Sequence, residues 1–302
     1  MVRTTRVLAL ALIALGLSPM IATPALARNS GNKAANPARA STEATYYVSL
    51  GDSAAAGYQP LGTYSHGYAD QLHQRIKATM PELQLLKLGC PGETAESLIS
   101  GNGSPCDYPS GSQLNEAISF LQAHPGQIAF ITINIGVNDI LERCSLNDPL
   151  GLINLLCVRR TMPGLQADLA SIIDALRGAA PNVPIAGMSY WDPFLGFWTF
   201  GLPVGKVVAV IDNRSMRELN AGLGATYQDE RALFADVAGA KYFNIGDFTH
   251  LVSTKWGRVP VNVANACRWT WFCPGTAFQG DPHPTTTGYG IIARAFQAVL
   301  PF

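Results

Sequence analysis

Tyr46-Tyr47-Val48-Ser49-Leu50-Gly51-Asp52-Ser53 is a short run of aromatic and β-branched residues that stops abruptly in Gly-Asp-Ser. Such a run predicts a buried strand followed by a tight turn. A serine in that turn sits at the carboxyl end of a first strand, where open α/β sheets place their ligand crevice. Ala54-Ala55-Ala56 can then open a helix whose N-terminal N–H groups face any anion held at Ser53. That suits a nucleophile with an oxyanion donor beside it, although Gly-Asp-Ser alone is also an ordinary turn. A base and further donors must come from elsewhere in the chain.

Upstream of this stretch, residues 1–27 read as a signal peptide. Arg3 and Arg6 make a basic start, residues 7–17 an apolar core, and Ala25-Leu26-Ala27 a small-x-small cleavage site. The apolar run is short and is broken by Pro19 and Pro24, which argues against a transmembrane anchor. Residues 28–45, rich in Ala, Asn, Ser and Thr, are expected to form a disordered lead-in. Residues 46–302 are expected to be a single domain, long enough to bury a substantial core. The 21 basic and 21 acidic side chains become 19 and 21 once Arg3 and Arg6 are removed. A balance so close to neutral suggests neither nucleic acid nor an anionic membrane as partner. In an exported chain the six cysteines are better read as disulfides than as metal ligands. Their order falls into three local pairs, Cys90–Cys106, Cys144–Cys157 and Cys267–Cys273, among the 15 pairings that six cysteines allow.

Downstream, apolar spacing predicts helices over 68–80, 114–123, 165–176, 207–234 and 286–299. Strands are expected at 83–88, 128–135, 183–188 and 241–245, with loops between. Strands alternating with helices imply βαβ units. The expected fold is therefore α/β: a flavodoxin-like three-layer α/β/α sandwich around a parallel sheet of about five strands.

Three strands end in something unusual: Gly51-Asp52-Ser53, Gly89, and Gly136-Val137-Asn138-Asp139. In a parallel sheet all three ends share one edge, so these residues can converge. Acyl transfer needs a hydroxyl, a base and donors aimed at the developing oxyanion. Ser53 offers the hydroxyl and one N–H, Gly89 a second N–H, and Asn138 a side-chain amide. Of the five histidines, His73 and His124 fall in or beside helices, and His66 and His250 in loops. His283, held between Pro282 and Pro284 just before the last helix, is the favoured base.

These blocks, in this order, resemble the SGNH (GDSL) hydrolases, and the resemblance spans essentially the whole mature chain. It is similar to secreted actinobacterial lipases and esterases in particular. The resemblance implies a secreted serine ester hydrolase with Ser53 as nucleophile, His283 as base, and Ser53, Gly89 and Asn138 as oxyanion hole. It departs from the family in one place. The family's Asp three residues before the histidine is Gly280 here, and Asp281 stands two before. Either the Asp281 carboxylate orients His283, or a backbone carbonyl near Gly280 does.

Two aromatic stretches fall in loops expected at the active edge and contain Trp191, Phe194, Trp198, Trp269 and Trp271. They form either an acyl-binding groove or lipid-contacting surface, or a hydrophobic cap packed on the sheet edge. The reaction needs no metal or cofactor. The implied partner is a small-molecule or lipid ester, and the chain is read as a monomer. A carbohydrate O-deacetylase or phospholipase would use the same site, and a non-catalytic cell-wall or carbohydrate-binding protein is the alternative of another class. No Gly-x-Ser-x-Gly or His-Glu-x-x-His occurs, which disfavours an α/β-hydrolase or a zinc hydrolase.

Overall fold

The computed structural model describes residues 45–146 and 151–302. The signal peptide expected over 1–27 lies outside the described residues, as does the lead-in up to residue 44. Thr45, assigned to the lead-in by composition, is instead the first residue of strand β1 (Thr45–Gly51) and pairs with Leu83.

Along the chain, α1 (Ser53–Ala56), α2 (Tyr68–Lys77), β2 (Leu83–Lys87), α3 (Ala95–Ser100), α4 (Gln113–Ala123) and β3 (Ile128–Asn134) follow β1. After them come α5 (Val137–Cys144), α6 (Leu155–Ala179), β4 (Ile185–Met188), a 3-10 segment (Pro193–Thr199), α7 (Gly205–Asp229) and β5 (Leu233–Ala235). A β6 (Leu251–Thr254) to β7 (Gly257–Pro260) hairpin, α8 (Val261–Trp269) and α9 (Thr286–Val299) complete the described chain.

The main sheet is five-stranded in the order β2-β1-β3-β4-β5, and every pair is parallel. A sheet covered on both faces needs apolar residues on both, and Tyr47, Val48, Leu50, Phe130, Ile131 and Ile133 are all fully buried. One face packs on α2 and α9, where the Tyr68 and Phe296 rings stack 4.9 Å apart. The other is covered by α4 and α7, with α6 packed against both, and Tyr227 of α7 occupies the space where a side chain at Gly187 would stand. This is the expected sandwich.

The differences from the sequence reading have physical causes. The last strand of the sheet is β5 at Leu233–Ala235, not 241–245, so α7 stops at Asp229 and not at 234. Phe243 and Ile245 are buried as expected of strand residues. Their N–H groups, however, bond back to Val237 and Ala238 in a folded loop and not to a strand. The helix read at 165–176 is the middle of α6, which runs through Pro163 and is capped at its start by Asn154 Oδ1 accepting from Cys157 N–H at 3.0 Å. Helices α3, α5 and α8 and the β6–β7 hairpin fall where loops were expected. Each is short, and Gly, Pro and cysteine around it obscure the apolar period. The three disulfides pair as expected: Cys90–Cys106, Cys144–Cys157 and Cys267–Cys273.

Candidate active site

The Ser53 turn is built by close backbone approach. Gly51 has φ +132°, and a Cβ there would lie 1.9 Å from Asn134 O on β3, so only glycine lets the two strand ends converge. Asp52 then caps α1, its Oδ1 accepting from Ala54 N–H at 2.8 Å. Asp52 is buried, and its carboxylate also accepts from Asn134 Nδ2 at 2.6 Å and from the Tyr190 hydroxyl at 2.5 Å. Burial pushes its carboxyl up to about 6, against the pull of these hydrogen bonds. Asp52 lies in the Gly-Asp-Ser turn and reads in the sequence as holding that turn, which its cap on α1 does. Tyr190 is not among the expected site residues, and nothing in its spacing marks it, because it acts through a contact made only in the fold.

Opposite Ser53, His283 is delivered by the loop before α9. Its Nε2 lies 2.9 Å from Ser53 Oγ. Its Nδ1 lies 2.9 Å from Asp281 Oδ1, which also accepts from the His283 backbone N–H at 2.9 Å. An acceptor-only carboxylate places the ring proton on Nδ1 and leaves Nε2 to accept from the serine. The loop itself is held on both sides. Trp191 Nε1 donates to Pro282 O at 2.9 Å, Gln59 Nε2 to Pro284 O at 3.2 Å, and Trp271 N–H to His283 O at 3.1 Å.

The other expected donors gather at the same edge. Gly89 sits against α1: a Cβ there would fall 2.4 Å from Ala56 N and 2.6 Å from Ala55 Cβ. Its neighbours bond to β1, Leu88 N–H to Ser49 O at 2.9 Å and Cys90 N–H to Gly51 O at 3.0 Å. Among the described residues neither Gly89 N–H nor Ser53 N–H has a hydrogen-bond partner. Asn138, at the start of α5, donates one amide hydrogen to Glu93 O at 2.8 Å, and an amide carries a second.

Beside this group lies a cleft of about 90 Å³, lined by Ser53, Asn138 and His283 on its polar side and by Leu141, Phe194 and Met216 among its apolar residues. Of the aromatic residues expected to bind substrate, Trp191 and Phe194 line it. The other three pack elsewhere. Trp198 lies against Phe248, and Trp269 meets Phe243 edge to face at 5.2 Å. Trp271 donates from Nε1 to Gln59 Oε1 at 3.1 Å, bracing the His283 loop. One section of the aromatic loops thus lines the cleft, and the rest is a packed cap. Among the described residues no cluster of His, Cys, Asp and Glu has the arrangement of a metal site, and no helix is long and apolar enough to cross a membrane.

Comparison with known proteins agrees with this architecture. A phospholipase A1 from Streptomyces albidoflavus is similar in fold, with a TM-score of 0.52 at 16% identity, over 85% of this chain and 100% of that one. An extracellular lipase from Streptomyces rimosus gives 0.53 at 16% identity over the same shares. A GDSL-like lipase from Parabacteroides merdae gives 0.51 at 13% identity, over 85% and 95%. No curated protein matches the sequence. The sequence pattern of the GDSL-like lipase/acylhydrolase family, however, matches residues 49–291, from within β1 to within α9 and so across every block of the site. The chain belongs to the GDSL-like lipase/acylhydrolase family and is a carboxylic ester hydrolase.

Proposed function

We propose that the protein is a secreted serine hydrolase that cleaves acyl or lipid esters through an acyl-Ser53 intermediate. The observation that carries the reading is the 2.9 Å approach of His283 Nε2 to Ser53 Oγ beside two backbone N–H groups that no described residue engages. His283 Nε2 takes the Ser53 proton as Oγ attacks the ester carbonyl, and Asp281 Oδ1 holds the Nδ1 proton and stabilises the imidazolium that forms. The carbonyl oxygen becomes an anion in reach of Ser53 N–H, Gly89 N–H and the second Asn138 amide hydrogen. Collapse of the adduct breaks the ester C–O bond, and the leaving alkoxide takes the proton from Nε2. Water then attacks the acyl-serine, giving its proton to Nε2; the acyl C–Oγ bond breaks, Oγ takes that proton back from Nε2, and the carboxylic acid leaves with Ser53 free again.

The Asp281 contact favours the carboxylate over a backbone carbonyl as the group that orients His283. An apolar wall of Leu141, Phe194 and Met216 suits an acyl chain better than a sugar, which favours a lipid or acyl ester over an acetylated polysaccharide. Secretion is supported by the leader composition and by three disulfides in a chain with no free cysteine among the described residues. We take residues 46–302 as one catalytic domain.

The test is hydrolysis of p-nitrophenyl esters from acetate to palmitate by wild type and Ser53→Ala. Turnover by the wild type and a loss of about 10³-fold or more in the variant are expected. Full activity in Ser53→Ala would refute the mechanism, and a folded wild type inert on every ester would refute the substrate class.

A further inference from the structure

The three groups aimed at the oxyanion come from three separate segments, and a buried network outside the cleft joins all three. Gln113, the first residue of α4, is fully buried. Its Oε1 accepts from Gly51 N–H at 2.6 Å. Its Nε2 lies 3.0 Å from Gly51 O, 2.9 Å from the Tyr108 hydroxyl and 3.1 Å from Glu93 Oε2. Glu93 is fully buried as well, and Ser97 Oγ and Ser104 Oγ donate to its carboxylate at 2.6 and 3.0 Å. The backbone carbonyl of Glu93 is the one that holds Asn138.

Tyr108 completes the frame. Its hydroxyl accepts from Gln113 and donates to Leu88 O at 2.6 Å. Leu88 C=O and Gly89 N–H are the two polar ends of a single planar peptide and point in opposite directions. Fixing the carbonyl therefore fixes the direction of the Gly89 N–H, and a donor on the carbonyl also polarises that N–H. The Cys90–Cys106 disulfide ties the residue after Gly89 to the loop that carries Tyr108.

We propose that Tyr108 is a positioning residue that aims the Gly89 N–H at the oxyanion, held in place by the buried Gln113–Glu93 pair. The same pair fixes Gly51 ahead of Ser53 and, through the Glu93 carbonyl, Asn138, so the three donors share one rigid support. Burial raises the Tyr108 phenol above its ordinary range, which keeps the hydroxyl protonated and able to donate. The proposal rests on the acyl-serine reading above.

The test is Tyr108→Phe, which removes one oxygen, assayed beside Ser53→Ala. Rates are expressed per Ser53 titrated with an organophosphonate ester, so any unfolded fraction drops out. Losing a whole oxyanion donor costs about 10²–10³ in kcat, and a misaimed donor is expected to cost about tenfold. The loss should fall on kcat, with KM within about twofold, and an alkyl boronic acid that forms a tetrahedral Ser53 adduct should bind weaker by the same factor. The midpoints of the kcat–pH profile should not move, because Ser53, His283 and Asp281 are untouched. An unchanged kcat, or a loss carried entirely by KM, overturns the proposal while Ser53→Ala remains dead. Activity surviving in Ser53→Ala would overturn both it and the mechanism beneath it.

Discussion

One oxygen of Asp281 accepts two hydrogen bonds, from the His283 backbone N–H and from Nδ1. The first fixes the turn and the second fixes the ring, so a residue only two positions ahead of the histidine can do the work of one placed three ahead. Asp281→Asn should keep the turn, since an amide oxygen still accepts the backbone bond. It cannot stabilise an imidazolium, and its NH₂ favours the wrong tautomer. The expected outcome is a fall in kcat of about 10²–10⁴ with the fold intact, read from kcat at pH 8 and from thermal denaturation. Near-full activity would assign the orienting role to a backbone group instead.

At the scale of elements, the Cys267–Cys273 loop joins the end of α8 to the segment that supports both His283 and the cleft wall. Phe272 packs against Phe194 and Phe197 of the 3-10 segment at 5.7 and 5.0 Å, while Phe272 O accepts from Gly280 N–H at 2.9 Å. Closing a loop with a sequence separation of 6 contributes about 2 kcal/mol. Replacing both cysteines by alanine should lower Tm by about 4–8 °C. Activity should be lost at a lower temperature than the far-UV signal, because the His283 loop loosens before the sheet. Coincident loss of both would show the loop to be no softer than the core.

Elements and side chains differ in how far the sequence makes them legible. β1 and β3 could be read because strands buried on both faces are continuous apolar runs, and Ser53, Gly89, Asn138 and His283 because they follow strands or precede a helix in a fixed order. The short strand β5 could not, since Leu233-Phe234-Ala235 continues the apolar pattern of α7. The roles of Tyr190, Gln113 and Glu93 depend on partners 138, 62 and 20 residues away in sequence, and no local pattern encodes such pairings.

For the molecule as a whole, buried acids set the response to pH. Burial is the main cause that lifts Asp52 and Asp139 to about 6 and Asp192 to about 7. A carboxyl with a raised value in the folded state keeps its proton there after the unfolded chain has released it. The folded state is therefore favoured below about pH 4, and that advantage is lost as pH rises through 6 to 7. Asp247, held below its ordinary value chiefly by the His250 backbone N–H, acts in the opposite sense and only in stronger acid. Tm is accordingly expected to fall by on the order of 5–10 °C between pH 5 and pH 8, measured by calorimetry at constant ionic strength. Asp192→Asn should flatten that slope, because it removes the carboxyl with the highest of the three values while keeping an oxygen to accept from Phe194 N–H, which now lies at 3.0 Å. A Tm that stays level or rises across this range would mean that these three carboxyls ionise in the folded protein without cost, as they would if water reached them.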